Sequence, residues 1–264
     1  MLFLSPGITI YILTLAFIIG AVFASFLGCM GWRISKGESV LKGRSHCDSC
    51  GHTLTWRDLI PIISYIARKG RCAYCGQSIS KTTVVGEILL AIVFVVTTIR
   101  YDVTLELVLF LFFVCVLYLV SIIDIYERII PDSILLVAIL VRIVWFLLWE
   151  TICIESVIAL VIDGLSISLP LLILTLLMEK LWKKEAMGGG DIKLLFVIGL
   201  YVGWQNCLLT LLFACIIGII GGYIQMQKEE EDVYFAFGPY LAGAGVLALW
   251  VGECLIQWYM SLWF

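Results

Sequence analysis

Eight stretches of this chain are predominantly apolar, most of them too long for strands or the core helices of a small domain. They cover residues 8–30, 84–99, 105–123, 134–149, 154–178, 192–202, 208–226 and 235–256. About 20 such residues, wound as a helix, cross the ~30 Å hydrocarbon layer of a bilayer. Composition agrees. The chain is 62% hydrophobic and 14% charged, where a soluble domain is about half apolar and a quarter charged. The expected fold is an all-α polytopic membrane protein with about eight transmembrane helices. The sixth run is short and flanked by glycine, which a membrane tolerates only where protein or a wet cavity shields the backbone.

The basic residues fix an orientation. Segment 32–82 carries nine Lys and Arg. Alternating sides through eight spans adds Arg128, Lys180, Lys183, Lys184, Lys193 and Lys228 to that face, so fifteen of the seventeen share it. The positive-inside rule makes it cytoplasmic and puts both termini outside. Residues 1–31 then form the first helix, 32–82 a cytoplasmic domain and 83–264 a membrane-embedded domain. Residues 1–7 lack a basic residue, so the first span does not read as a cleaved signal peptide. Gly20, Ala24 and Gly28 make a small-residue stripe suited to close helix packing.

Ten cysteines fall into two sets. Cys29, Cys115, Cys153, Cys207, Cys215 and Cys254 lie singly in or beside apolar runs, as small hydrophobes do. Cys47, Cys50, Cys72 and Cys75 form two Cys-x-x-Cys-Gly knuckles separated by 21 residues. That pattern reads as a closed, structural four-thiolate zinc site. The competing reading, a pair of disulfides, is disfavoured in a reducing cytoplasm. A segment of ~50 residues builds little core alone, so a metal staple is physically reasonable.

Two acids stand out. Asp191 follows Gly188, Gly189 and Gly190 at the head of the sixth run, and Asp124 ends the third. Each glycine costs a helix about 1 kcal/mol relative to alanine. Three in a row imply that a substrate backbone needs room beside the acid, and mark the glycines as substrate-binding candidates. The topology brings both acids to the cytoplasmic boundary. Carboxylates there are expensive and mark function by default, although a lone acid at a helix start also suits the helix dipole. Two close carboxylates titrate as a coupled pair. One, ionised, draws a proton from water; the other, protonated, polarises a carbonyl. That is the chemistry of an aspartyl protease with Asp124 and Asp191 as catalytic residues. His46 and His52, the two histidines, sit beside the knuckle cysteines, which weakens a serine or cysteine mechanism.

Among other positions, Asp132 reads as a helix N-cap and Lys193 as a boundary anchor. Glu87 and Asp163 fall inside spans, where they would pair with Arg142 or line a wet cavity. Residues 228–232 read as a solvated loop.

These residues together resemble the type IV prepilin peptidases, the leader peptidase and N-methyltransferase family with a Gly-x-Gly-Asp block. The resemblance runs through Ala24-Ser-Phe-Leu with Arg33, Gly37-Glu-Ser-Val, Arg44-Ser-His-Cys47, Leu59-Ile-Pro-Ile-Ile-Ser-Tyr65 and Gly70-Arg-Cys72. It continues in Asp124-Ile-Tyr-Glu-Arg-Ile-Ile-Pro131-Asp132, Met187-Gly-Gly-Gly-Asp191-Ile-Lys193 and Phe237-Gly-Pro-Tyr-Leu-Ala242. Departures are Ala24, Gly28, Gly43, Tyr126 and Ala236, none of them a catalytic aspartate or knuckle cysteine. The resemblance implies a bacterial inner-membrane enzyme that cuts the basic leader from prepilins or pseudopilins on the cytoplasmic side. It also implies methylation of the new N-terminus from S-adenosylmethionine, with residues 37–44 as the associated region. Expected partners are prepilins and membrane lipid, and no nucleic acid. Glu38, Asp48 and Asp58 are possible contacts for a basic leader. Two alternatives carry less of the sequence. A presenilin-like protease would have Tyr where Ile123 stands and a Pro-Ala-Leu motif. A transporter or binding module would use the acids for ions and the zinc loop for docking.

Overall fold

In a computed structural model, residues 5–40, 43–47, 49–182, 187–226 and 236–263 are described. Nearly all lie in helices: α1 (Pro6–Ser35), α2 (Ile63–Ala67), α3 (Lys81–Tyr101), α4 (Leu105–Glu127), α5 (Asp132–Trp149), α6 (Ile154–Trp182), α7 (Gly189–Val202), α8 (Trp204–Met226) and α9 (Gly238–Ser261). All except α2 and α7 are long and apolar enough to cross a bilayer, giving seven spans among the described residues. The chain is therefore a multi-pass membrane protein. The sixth apolar run forms α7, whose 14 residues reach only ~21 Å.

The chain divides into two compact units, residues 1–126 and 127–264. In the first, α1 packs along α3. The small-residue stripe explains how. A side-chain carbon at Gly20 would lie 2.8 Å from the Ala91 Cα and 3.0 Å from the Leu90 carbonyl, and Ala24 is buried. Gly28 has open space around it, so the stripe works at two of its three positions. Lower on α1, Gly31 admits the side chain of Ile122 from α4.

In the second unit α7 packs against α5, α6, α8 and α9. Eight of its residues are buried, which is how so short a helix is sheltered from lipid. Its closest neighbour is α6. A side-chain carbon at Gly199 would strike the Asp163 carbonyl, and one at Gly164 would strike Phe196. α7 ends at Gly203, whose φ of +81° turns the chain directly into α8. Asp163 accepts the N–H of Trp204 at 3.0 Å, satisfying one orphan donor at the start of α8.

The other intramembrane charges also find partners. Arg142 donates through Nε to the Leu200 carbonyl at 2.7 Å and pairs with Glu150 at 2.6 Å. Glu87 accepts the Ile62 N–H at 2.7 Å. Glu87 and Asp163 thus each meet a backbone donor. The solvated loop read at 228–232 lies outside the described residues.

The α6–α7 crossing leaves no room for a methyl group on Gly199. Gly199→Ala is expected to destabilise the protein by about 1–3 kcal/mol. Thermal unfolding in detergent checks this; an unchanged melting temperature contradicts so close a crossing.

Candidate active site and metal centre

Asp124 lies three residues before the end of α4. Phe113, Leu117 and Val120 are buried on that helix, and Asp124, 5% exposed, continues the same stripe. The helical period thus carries a carboxylate onto the face that the preceding residues hide from lipid. Ile125 and Tyr126, the next two residues, are exposed.

Asp191 is placed the opposite way. It is the third residue of α7, half-buried, with its N–H donating to the Gly188 carbonyl at 3.1 Å. Leu194, Leu195 and Ile198 are buried at the next positions on its face. Asp124 therefore closes the buried stripe of one helix, and Asp191 opens that of another. Asp191 is the acid in the first turn of α7, a position that suits the helix dipole.

The three glycines differ in surroundings. A side-chain carbon at Gly190 would meet Ile130 at 3.1 Å, and one at Gly188 would meet Asp191's own carboxylate at 3.2 Å. Gly189 faces open space. Gly190 thus has a packing reason that the sequence could not show. Nearby, Lys193 pairs with Asp132 at 2.7 Å. Asp132 is the first residue of α5, whose N-cap is Pro131. It acts as a first-turn acid rather than the N-cap expected from sequence.

The metal centre is built in the segment between α1 and α3. Its two knuckles repeat one geometry. Cys47 donates to His52 and Gly51 to Cys47; Cys72 donates to Gln77 and Gly76 to Cys72. Gly51 and Gly76 turn at φ +68° and +73°, where only glycine is at ease. The four sulfurs of Cys47, Cys50, Cys72 and Cys75 lie within 4.8 Å of one another, and none of the ten cysteines is in a disulfide. A tetrahedral zinc with bonds of ~2.3 Å needs sulfur–sulfur edges of about 3.8 Å; Cys47 and Cys75 are 3.9 Å apart.

The thiols' titration fits the same conclusion. Backbone N–H groups of Cys75 and Tyr74 hold Cys72 down to about 6. The Gln77 N–H lowers Cys75, but burial and the Cys72, Cys50 and Cys47 thiols outweigh it and push Cys75 up to about 11. Cys72 thus loses its proton readily while Cys75 beside it holds on to its own. A divalent cation removes that conflict, so the cluster could hold zinc.

Around the knuckles, the Asp58 carboxylate accepts from the Thr55 N–H and hydroxyl, at 2.7 and 2.6 Å, and pairs with Arg68. It is committed to the fold of the segment and is not a free acid for a basic peptide. Asp48 lies outside the described residues, as do residues 41 and 42 of the 37–44 region. Arg33 is buried and reaches toward that region, with Nη1 3.5 Å from the Val40 carbonyl.

Residues 18–101 match the bacterial peptidase A24 N-terminal domain, and residues 111–223 match the type IV leader peptidase family. A prepilin leader peptidase/N-methyltransferase of Pseudomonas putida is 30% identical, covering 96% of this chain and 95% of the relative. One of Bacillus subtilis strain 168 is 29% identical over 95% of this chain and 98% of its own length. One of Aeromonas salmonicida strain A449 is 32% identical over 84% and 76%. No solved structure matches. The two domains and the knuckle-bearing loop define a polytopic bacterial leader peptidase. The chain belongs to the prepilin leader peptidase/N-methyltransferase family.

Metal loading must expel the protons that the crowded thiols retain, so affinity rises with pH. Cobalt(II) titration should show markedly tighter thiolate-to-metal absorption at pH 8 than at pH 6. Cys72→Ser should weaken it at both. Equal affinity at the two pH values contradicts a thiolate site.

Proposed function

We propose that this protein is an aspartyl endopeptidase that removes the leader from type IV prepilins or pseudopilins, with Asp124 and Asp191 as its catalytic pair. The observation that carries this reading is the placement of the two acids. Each sits at a helix end, on the face its helix buries, within the stretch that matches the leader peptidase family. A carboxylate on a lipid-sheltered face costs stability, and function is its usual reason. One of the two carboxylates, ionised, takes a proton from water. The other, protonated, polarises the scissile carbonyl and then gives its proton to the departing amine. Water supplies the hydroxyl group, and no covalent intermediate forms.

The topology follows from the basic residues. The knuckle segment and both acids face the cytoplasm; with α7, short as it is, counted as a crossing, both termini lie outside. A prepilin's apolar helix lies in the bilayer with its leader in the cytoplasm, so its cut bond falls at the boundary that holds Asp124 and Asp191. Gly189, with open space beside it, offers an extended leader its closest approach. The chain also N-methylates the new N-terminus, using S-adenosylmethionine as its family resemblance implies; its relatives are named N-methyltransferases. The candidate region for the methyl donor is 37–44. Zinc in the four-cysteine site holds the segment's fold and takes no part in the cut.

Asp124→Asn and Asp191→Asn should each lower prepilin cleavage by about 10³-fold or more, with unchanged helical circular dichroism and melting temperature. Cleavage retained in both contradicts the assignment. Gly190→Val, which crowds Ile130, should impair cleavage while elemental analysis still finds about one zinc per chain, as four ligands to one ion imply. Equal loss of zinc and cleavage would mean that the substitution acts by general unfolding.

A further inference from the structure

The segment between the two knuckles carries a feature that neither zinc binding nor proteolysis uses. Pro61-Ile62-Ile63 forms a tight turn closed by the Ile63 N–H on the Pro61 carbonyl at 2.5 Å. Its centre, Ile62, has φ 63° and ψ −52°. This is the strained form of the three-residue turn, and a β-branched residue is the least suited to it. Such a conformation persists only where its surroundings impose it. Here the Ile62 N–H is held by Glu87, a buried carboxylate on α3.

That hydrogen bond fixes a depth. Glu87 is the seventh residue of α3, about 9 Å along the helix from Lys81. The helix is 21 residues long, about 32 Å, barely more than the hydrocarbon layer. Its apolar run starts at Val84. A turn bonded to Glu87 therefore stands beside the first membrane-embedded turns of α3, not above them. Val85 and Leu89, on either side of Glu87 in sequence, are exposed as lipid-facing residues should be.

The residues around the turn are exposed and apolar. Trp56 is 70% exposed, Ile63 64% and Ile66 67%, and Leu59 is also exposed. Ile63 and Ile66 are three apart on α2 and share one side of it. Arg57 lies over the Trp56 ring at 5.2 Å, and Lys69 is exposed two residues beyond α2. Aromatic and aliphatic groups interleaved with cations are what an anionic lipid headgroup layer selects. The face is also continuous in depth with the lipid-exposed side of α3.

We propose that residues 56–67 form an interfacial membrane anchor. The occupant of the exposed face is the anionic phospholipid of the bilayer that α1 and α3 cross. Ile63 and Ile66 enter the acyl-chain boundary, and Arg57 and Lys69 meet headgroup phosphates. Glu87, through the Ile62 N–H, sets the depth. The zinc-stapled knuckles are thereby held against the membrane surface instead of hanging from flexible tethers. This proposal stands apart from the assignment of catalytic residues.

The test is a fluorescent non-canonical amino acid at Ile66, and separately at Ile63, in the full chain. The protein is reconstituted in phosphatidylethanolamine/phosphatidylglycerol vesicles, with or without brominated acyl chains. Both positions are exposed, so the probe is tolerated. Brominated lipid should quench position 66 several-fold more than Gln77 in the second knuckle, and about as much as Val85 on α3. Aqueous iodide should show the reverse order. Glu87→Leu should shift position 66 toward iodide. Iodide quenching at position 66 equal to that at Gln77, without quenching by brominated lipid, overturns the proposal. So does relief of the lipid quenching by a prepilin's apolar segment, which would make the face a substrate site.

Discussion

A bilayer gives neither a backbone amide nor a carboxylate any water, and this constraint organises the whole molecule. Three charged side chains within the apolar runs meet polar partners. Arg142 takes the Leu200 carbonyl and Glu150; Asp163 takes the first amide of α8; Glu87 takes a loop amide. α7 is shorter than the hydrocarbon layer is thick, and four helices surround it. The same constraint makes Asp124 and Asp191 informative. A carboxylate on a buried helical stripe is costly in a membrane, and function is its usual reason.

Sheltering α7 has a geometric requirement. Four neighbours can enclose one helix only if some approach to backbone contact. Gly199 and Gly164 allow that for α6, while Gly190 admits Ile130. The glycines ahead of Asp191 thus serve more than one purpose. Gly190 is filled by a neighbour's side chain, whereas Gly189 is open, and only the latter leaves visible room for a peptide.

Much of this was legible in the sequence because membrane helices and metal knuckles obey strong local rules. The apolar runs became helices within a few residues of their expected ends. The short sixth run became the short helix α7, and the two Cys-x-x-Cys-Gly motifs brought four sulfurs together. What could not be read depended on distant partners. No local signal places isoleucine at positive φ, and Ile62 adopts it because Glu87, 25 residues on, holds its amide. Asp132 read as an N-cap from its position after proline, but the extended backbone of Pro131 makes that residue the cap and leaves Asp132 to Lys193. Asp58, one of three acids that the sequence offers as contacts for a basic leader, is held by Thr55 and Arg68.

The central claim is that Asp124 and Asp191, 67 positions apart in sequence (191 − 124), act as one pair at the membrane boundary. The most direct test is proximity in the folded protein. Asp124→Cys and Asp191→Cys would be combined and treated in vesicles with a short thiol-to-thiol cross-linker, and the peptides identified by mass spectrometry so that native cysteines do not confuse the result. The account predicts a peptide joined through positions 124 and 191 in high yield. Recovery of both positions singly modified, with no such linkage in the folded protein, would contradict it.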